Sequence, residues 1–333
     1  MSNEAGVSTV TVVGSGYMGG GIALVFALGG YDVTLCDVDL ATARHAHERV
    51  LSEASDFESR GLLPPGSGER LRDNLSYAES IEPAVAHADY ITEAVPEEKS
   101  IKFETLSQIS AWARDDAIIA TNTSAIAISE LARVVANPER FLGVHWMNPA
   151  PFIPGVELIA SDATAPGTVD RAERLVRDVG KVPARVADTP GFVANRLQFA
   201  LYKEAVRLVE EGVATPTQID TVVSGTFGFR LALFGPFAIG DMAGLDVYEA
   251  SYRTLEQSFG ERFAVPSALA ARVSAGNLGL KSGRGFLDID PQDKDALVAY
   301  RATAYARLSQ LRDELGAAPG LQQRGQTHVE IGK

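Results

Sequence analysis

The sequence predicts an α/β fold: a doubly wound, mostly parallel sheet followed by an all-helical C-terminal domain. Three observations predict it. Short apolar runs alternate with helical segments up to Asp188. A glycine-rich turn joins the first apolar run to the first helix. After Asp188 no convincing strand pattern remains, and helical periodicity takes over.

The elements follow in order. Val10, Val12 and Val13 form an apolar strand that runs into Gly14-Ser15-Gly16-Tyr17-Met18-Gly19. Met18, Ile22, Leu24, Val25, Ala27 and Leu28 give an apolar helix, which Gly29-Gly30 ends. Val33, Leu35 and Cys36 form the next strand, and Asp37 closes it. In this Rossmann-type setting Gly14 allows the tight turn, Gly16 lets the backbone approach a pyrophosphate, and Gly19 lets helix and strand pack closely. The helix N-terminus at Tyr17 and Met18 presents free N–H groups to phosphates. Asp37 suits the adenosine ribose hydroxyls and would repel a 2′-phosphate, so the expected cofactor is NAD rather than NADP. A glycine-rich turn of a flavin or nucleotide-sugar enzyme, or a degenerate site, remains the alternative.

Residues 38–79 read as a helical hairpin projecting from the sheet, broken by Gly61 and Pro64-Pro65-Gly66. Further strands are expected near 89–93, 116–120, 141–146, 156–160 and 182–187. Thr189-Pro190-Gly191 is a break. A long helix then runs from Phe192 to Glu211, followed by helices near 216–225, 237–259, 266–275 and 292–315. The expected layout is a nucleotide domain over 1–188, a helical substrate and dimerisation domain over 189–316, and an extended tail over 317–333.

Composition narrows the function. A chain of 333 residues with 46% hydrophobic content can bury two cores. A net charge of −13 argues against nucleic acid, which needs a basic stripe. The single cysteine, Cys36, excludes an internal disulfide and a cysteine-based zinc site, and no metal is expected. The N-terminal residues carry no signal pattern and no apolar run reaches membrane-spanning length, so a soluble cytoplasmic protein is expected.

His145 ends an apolar strand before a proline-rich loop, and ligands in open α/β sheets bind beyond the carboxyl ends of strands. Glu157 lies in the next apolar strand between Val156 and Leu158, where a carboxylate needs a partner. A His145–Glu157 pair would supply one, with Glu157 fixing the tautomer and stabilising the imidazolium. A structural histidine beside a surface glutamate is the other reading.

Over nearly its whole length the chain resembles the L-3-hydroxyacyl-CoA dehydrogenase family. The motifs are His145-Trp146-Met147-Asn148-Pro149 with Val156-Glu157, Asn122-Thr123-Ser124, and Pro190-Gly191-Phe192-Val193-Ala194-Asn195-Arg196. Glu97 and Lys102 match the family's pair near the nicotinamide ribose, and Asn122 belongs to the same cofactor set. The resemblance implies that His145 is the general base and Glu157 its orienter. It also implies that Ser124 and Asn195 bond the substrate oxygen, that the chain dimerises through its C-terminal domain, and that it acts in fatty-acid metabolism. From the residues alone, Ser124 could instead cap a helix starting near Ala127. Asn195 could satisfy a buried backbone group on a face shared with Phe192, Phe199 and Tyr202.

Two departures concern the substrate. The family holds CoA on the helical hairpin, yet here Glu48, Glu53, Asp56 and Glu58 face only Arg49 and Arg60 over residues 48–60. Arg60, Arg70 and Arg72 could still supply charge. The loop Phe152-Ile153-Pro154 resembles the branch acting on free hydroxy acids, the L-gulonate 3-dehydrogenase/lambda-crystallin and L-carnitine dehydrogenase types. Arg230 is the only charge between Phe227 and Pro236. It would either clamp a substrate carboxylate or pair with an acid such as Asp241 or Asp246. The expected activity is therefore NAD-dependent oxidation of an L-3-hydroxyacyl group, short-chain acyl-CoA first and a free 3-hydroxy acid second. A crystallin-type structural protein or a non-catalytic NAD sensor are the alternatives. The excess of apolar residues at Phe227, Phe229, Leu231, Leu233, Phe234, Phe237 and Ile239 is read as part of a homodimer interface.

Overall fold

The computed structural model describes residues 6–320. Chain contacts divide it into two units, with the boundary between Leu201 and Tyr202.

The first unit is built on an eight-stranded sheet in the order β3-β2-β1-β4-β5-β6-β7-β8. Its strands are β1 (Thr9–Val13), β2 (Asp32–Cys36), β3 (Leu75–Tyr77), β4 (Tyr90–Glu93), β5 (Ile118–Thr121), β6 (Phe141–Trp146), β7 (Gly155–Ala160) and β8 (Val182–Ala187). All neighbours are parallel except β6 and β7, which run antiparallel. The helices of this unit are α1 (Tyr17–Leu28), α2 (Leu40–Ser59), α3 (Ser67–Asn74), α4 (Ile81–Val85), α5 (Lys99–Trp112), α6 (Ile128–Leu131), α7 (Pro166–Asp178) and the start of α8 (Ala194–Glu210).

Period-two alternation splits the core in two. On β6, Leu142, Val144 and Trp146 join one cluster with Phe26 and Tyr90, while Phe141 joins the other with Ile91, Ile128 and Phe192. His145 belongs to the Phe141 face. Nine consecutive residues of α1, Gly19–Ala27, are buried, as befits a helix wedged between the sheet and α2 and α3.

Seven strands were expected and eight are present. The additional strand is β3, which lies inside the segment expected as a helical hairpin. Its three residues are too short to show alternation, and they pair with β2. The helical part of that segment ends at Asn74. It does not stand clear of the sheet: Ala43, Ala46, Val50 and Ala54 of α2 and Leu71 of α3 are buried.

The second unit continues α8 and adds α9 (Pro216–Gly225), α10 (Phe227–Leu231), α11 (Pro236–Ala243), α12 (Leu245–Phe259), α13 (Ser267–Ser274) and α14 (Lys294–Leu315). The helix expected over 237–259 is two helices. Gly244 breaks it at φ +105°, a conformation that L side chains rarely adopt. Between α13 and α14 the chain makes isolated bridges at Arg284 and lays the N–H groups of Phe286 and Leu287 on the fully buried Asp241. Of the apolar residues read as an interface, Phe234 and Ile239 are buried, while Leu231, Leu233 and Phe237 are exposed. Residues 317–320 of the expected tail follow α14, and the rest of it lies outside the described residues. No helix among the described residues is long and apolar enough to cross a membrane.

Candidate active site

The β6–β7 register places His145 directly opposite Glu157. Opposed residues of an antiparallel pair share a face with their Cβ atoms close, so the two side chains meet. His145 Nδ1 lies 2.8 Å from Glu157 Oε2, and both residues are buried. The other carboxylate oxygen, Oε1, accepts the N–H groups of Val193 at 3.0 Å and Ala194 at 2.9 Å, at the start of α8. Burial pushes Glu157 upward, but the His145 hydrogen bond and the two N–H groups outweigh it and hold the carboxyl below the usual range. Phe192 is buried against the imidazole with ring centroids 5.6 Å apart. Its φ of +47° is an uncommon conformation for a bulky residue, and it turns the chain so that α8 points its first N–H groups at Glu157. Phe192 therefore precedes α8 and does not share a helical face with Asn195, Phe199 and Tyr202. The last two are exposed.

The strand face beside His145 is kept open by Gly143. A Cβ there would lie 2.6 Å from Ile128 Cδ1, so α6 rests directly on the strand. The α6 N-terminus is capped by Asp188, whose two oxygens accept the N–H groups of Ile128 and Ser129 at 2.8 Å each. Ser124 is not that cap. Sequence reasoning passed over Asp188, whose signal was an acid set just before the Thr-Pro-Gly break.

Ser124 lies in the loop after β5, in contact with α8. Asn195 Nδ2 donates to the Ser124 carbonyl at 2.9 Å, which is the backbone role weighed for it and also brings the two residues together. Glu97 shapes this loop. Its Oε1 accepts from Thr123 Oγ1 at 2.6 Å and from the N–H groups of Ser124 at 2.8 Å and Ala125 at 3.0 Å. Burial acts upward on Glu97, and these bonds with Lys102 bring its carboxyl below the usual range. Asn122 Oδ1 accepts the Trp146 N–H at 2.8 Å, tying the end of β5 to the end of β6.

Lys102 lies beneath the Glu97 loop. It is buried, with Nζ 2.8 Å from Glu93 Oε1, 3.3 Å from the Val95 carbonyl and 3.3 Å from Glu97 Oε2. Glu93 is itself fully buried and also accepts from Thr121 Oγ1 at 2.6 Å. Two of the Lys102 protons go to Glu93 and Val95, and the charge also faces Glu97.

The glycine turn follows β1, at the same carboxyl edge of the sheet as the end of β6 and three strands away. Gly14 has φ +95°, and a Cβ there would lie 2.6 Å from the Ala94 backbone. At Gly19 a Cβ would lie 1.8 Å from the Gly14 carbonyl oxygen. At Gly16 it would meet nothing within 4 Å, which is the space a pyrophosphate needs. No side chain caps α1, so its first N–H groups, around Tyr17 and Met18, face that space. Tyr17 is exposed and Met18 packs against the core. Asp37 Oδ2 accepts from Ser15 N and Ser15 Oγ at 2.6 Å each, and Oδ1 from Val38 N at 2.8 Å. Asp37 thus holds the turn and closes β2 beside it. Arg49 of α2 covers the turn from behind, donating to the Ser15 and Gly16 carbonyls at 2.9 and 3.1 Å. These residues fit a dinucleotide.

Three of the hairpin arginines are engaged. Arg49 also pairs with Glu53 at 2.9 Å, Arg60 pairs with Asp56 at 3.1 Å, and Arg70 donates to the Leu28 carbonyl. Glu58 is held below the usual carboxylate range first by the N–H groups of Gly68 and Gly66 that it accepts, with a smaller pull from Arg72. In the second unit, half-buried Arg230 forms no ion pair among the described residues. Both acids weighed as its partners are engaged elsewhere: Asp241 with Phe286 and Leu287, and Asp246 with Lys281 at 2.8 Å.

Residues 9–189 match the family described as 3-hydroxyacyl-CoA dehydrogenase, NAD binding domain, and residues 191–289 match its C-terminal domain. The chain is 37% identical to the 5-formyl-3-hydroxy-2-methylpyridine 4-carboxylate 5-dehydrogenase of Mesorhizobium japonicum, over 89% of this chain and 95% of that one. It is 33% identical to the human lambda-crystallin homolog, over 92% and 97%. The solved structure of a 3-hydroxyacyl-CoA dehydrogenase from Archaeoglobus fulgidus superposes with a TM-score of 0.75 at 32% identity, covering 93% of this chain and 99% of that one.

Proposed function

The chain belongs to the 3-hydroxyacyl-CoA dehydrogenase family of NAD-dependent oxidoreductases, and from its site we propose that it oxidises the hydroxyl of an L-3-hydroxyacyl group to the 3-keto form, or runs the reverse. The observation that carries this reading is the buried His145–Glu157 pair with its second anchor on α8. A carboxylate held below its usual range is ionised at neutral pH and can only accept. The imidazole proton therefore sits on Nδ1, and the Nε2 lone pair is the base. Nε2 takes the hydroxyl proton as the C3 hydrogen leaves as hydride, and the Glu157 charge stabilises the imidazolium. NAD, when bound, supplies the hydride acceptor. It would be held by the Gly14–Gly19 turn with Asp37 at the ribose, and by Asn122 and Glu97 toward the nicotinamide end. The Ser124 hydroxyl and the second Asn195 Nδ2 proton would donate to the substrate oxygen. A structural or sensor protein has no need of an oriented base.

A second reading, oxidation of a small free 3-hydroxy acid, is favoured by the engaged Arg49, Arg60 and Arg70 of the hairpin and by Arg230, which pairs with no carboxylate among the described residues and would bind the substrate's. NADH formation from 3-hydroxybutyryl-CoA and from a panel of free 3-hydroxy acids, with His145→Ala as control, separates the two. Activity confined to the thioester retires the Arg230 role. No activity on either class retires the proposed function. A cytoplasmic homodimer and a place in fatty-acid metabolism belong to the same reading. The dimer draws support from the exposed apolar residues of α8, including Leu197 and Phe199.

A further inference from the structure

We propose that Lys181 is a positioning residue for this reaction, its buried ammonium gathering the loop between His145 and Glu157 and so setting the base relative to the cofactor helix. This rests on His145 being the base. Lys181 precedes β8 and is buried. Its Nζ donates to the carbonyls of Ala150 at 2.6 Å, Pro151 at 3.0 Å and Ile153 at 2.9 Å. Three protons meet three carbonyls, and no carboxylate of the described residues pairs with it. Burial alone draws its pKa below the usual lysine range.

A buried cation without a counter-charge is costly, so the arrangement points to what it holds. The held segment is the Ala150–Ile153 part of the connection from β6 to β7. The same loop folds on itself through the N–H groups of Phe152 and Ile153, both 3.1 Å from the Pro149 carbonyl, and Val182 N closes it at Pro154. The loop also touches the cofactor side. A Cβ on Gly21 of α1 would lie 3.2 Å from Pro151 and 3.4 Å from Ala150. The Phe152 ring packs edge-on against Phe57 of α2 at 5.0 Å. The strand carrying the base is thereby joined to the helix that opens at the glycine turn. Without the ammonium, three carbonyls would converge unpaired and the loop would open. Misplacing reacting groups by about 1 Å costs on the order of 10²-fold in rate.

The test is Lys181→Met, which keeps the stem and removes the charge. NADH affinity is read by fluorescence titration, kcat is expressed per NADH-binding site, and the deuterium isotope effect on kcat is measured with 3-hydroxybutyryl-CoA, or the preferred free acid, deuterated at C3. NADH affinity should stay within about three-fold while kcat falls at least about ten-fold, and the isotope effect should rise because chemistry becomes rate-limiting. An unchanged kcat and isotope effect beside a lower Tm would overturn the proposal, since a purely structural lysine moves only stability. Where Lys181→Met fails to fold, Lys181→Gln keeps two amide donors without the charge. The isotope effect should rise there too, and a wild-type value overturns the proposal. An inactive His145→Ala beside a normal Lys181→Met removes only the Lys181 role, whereas a fully active His145→Ala removes the base assignment on which it rests.

Discussion

Glu157 accepts the backbone N–H of Ala194 at 2.9 Å, so the carboxylate that orients His145 also anchors the first turn of α8. One side chain ties an antiparallel strand pair to the helix that carries Asn195. The base and a proposed substrate contact thus share a support.

That arrangement makes Glu157 a source of acid sensitivity. Its folded pKa lies below the unfolded value, so the unfolded state binds more protons in acid and stability rises with pH there. The contribution is present above the ordinary carboxylate pKa, about 4.3, and is lost as pH falls through the folded value. Urea midpoints measured from about pH 5 downward should fall less steeply in Glu157→Gln than in wild type. Parallel slopes would show that the native pair does not shift Glu157.

Asp37 selects the cofactor and holds the turn. Asp37→Ser should weaken NAD binding by about 1.5–3 kcal/mol, the scale of hydrogen bonds to a charged group, and relax discrimination against NADP. Since Ser15 loses its acceptor in the same step, part of the loss will appear with both cofactors. Isothermal titration with NAD and NADP measures each part. A wild-type preference for NADP would contradict the assignment.

Among the described residues Arg230 pairs with no carboxylate, and Asp241 and Asp246 are engaged elsewhere. If it binds a substrate carboxylate, Arg230→Lys should raise KM for free 3-hydroxy acids sharply, because a point charge does not reproduce the planar fork. NAD affinity and Tm should change little. Equal KM values for wild type and variant on the preferred free acid would assign Arg230 no part in recognition.

The exposed apolar face of α8, with Phe199 at 62%, Tyr202 at 67% and Val206 at 37% exposure, is expected to be covered in a homodimer. Light scattering at micromolar concentration should give twice the chain mass, and Phe199→Asp should shift it toward the monomer. A monomeric wild type would contradict this.

Most of the cofactor turn and the catalytic pair was legible in the sequence because each depends on local pattern. Gly14, Gly16 and Gly19 sit between a strand and a helix, and His145 and Glu157 each end or interrupt an apolar strand. The strand pattern leaves their contact open, and the antiparallel register supplies it. What stayed hidden depends on distant chain. Asp188 caps α6 from 60 residues away, and Lys181 reaches back to Ala150. Lys102 carried a recognisable motif position, yet its burial against Glu93 is set by packing. β3 is too short to show a period, and the break at Gly244 was masked by apolar residues on both sides.

The central claim is that Nε2 of His145 is the base of an NAD-dependent oxidation, and kcat of His145→Ala tests it most directly. With saturating NAD and the preferred 3-hydroxy substrate, kcat should fall by on the order of 10²–10⁴ while NADH affinity holds. Glu157→Gln should lose much of the same rate, and the double variant should lose less than the product of the two, because the residues act as a unit. A His145→Ala enzyme that folds, binds NADH and turns over at the wild-type rate would contradict the account.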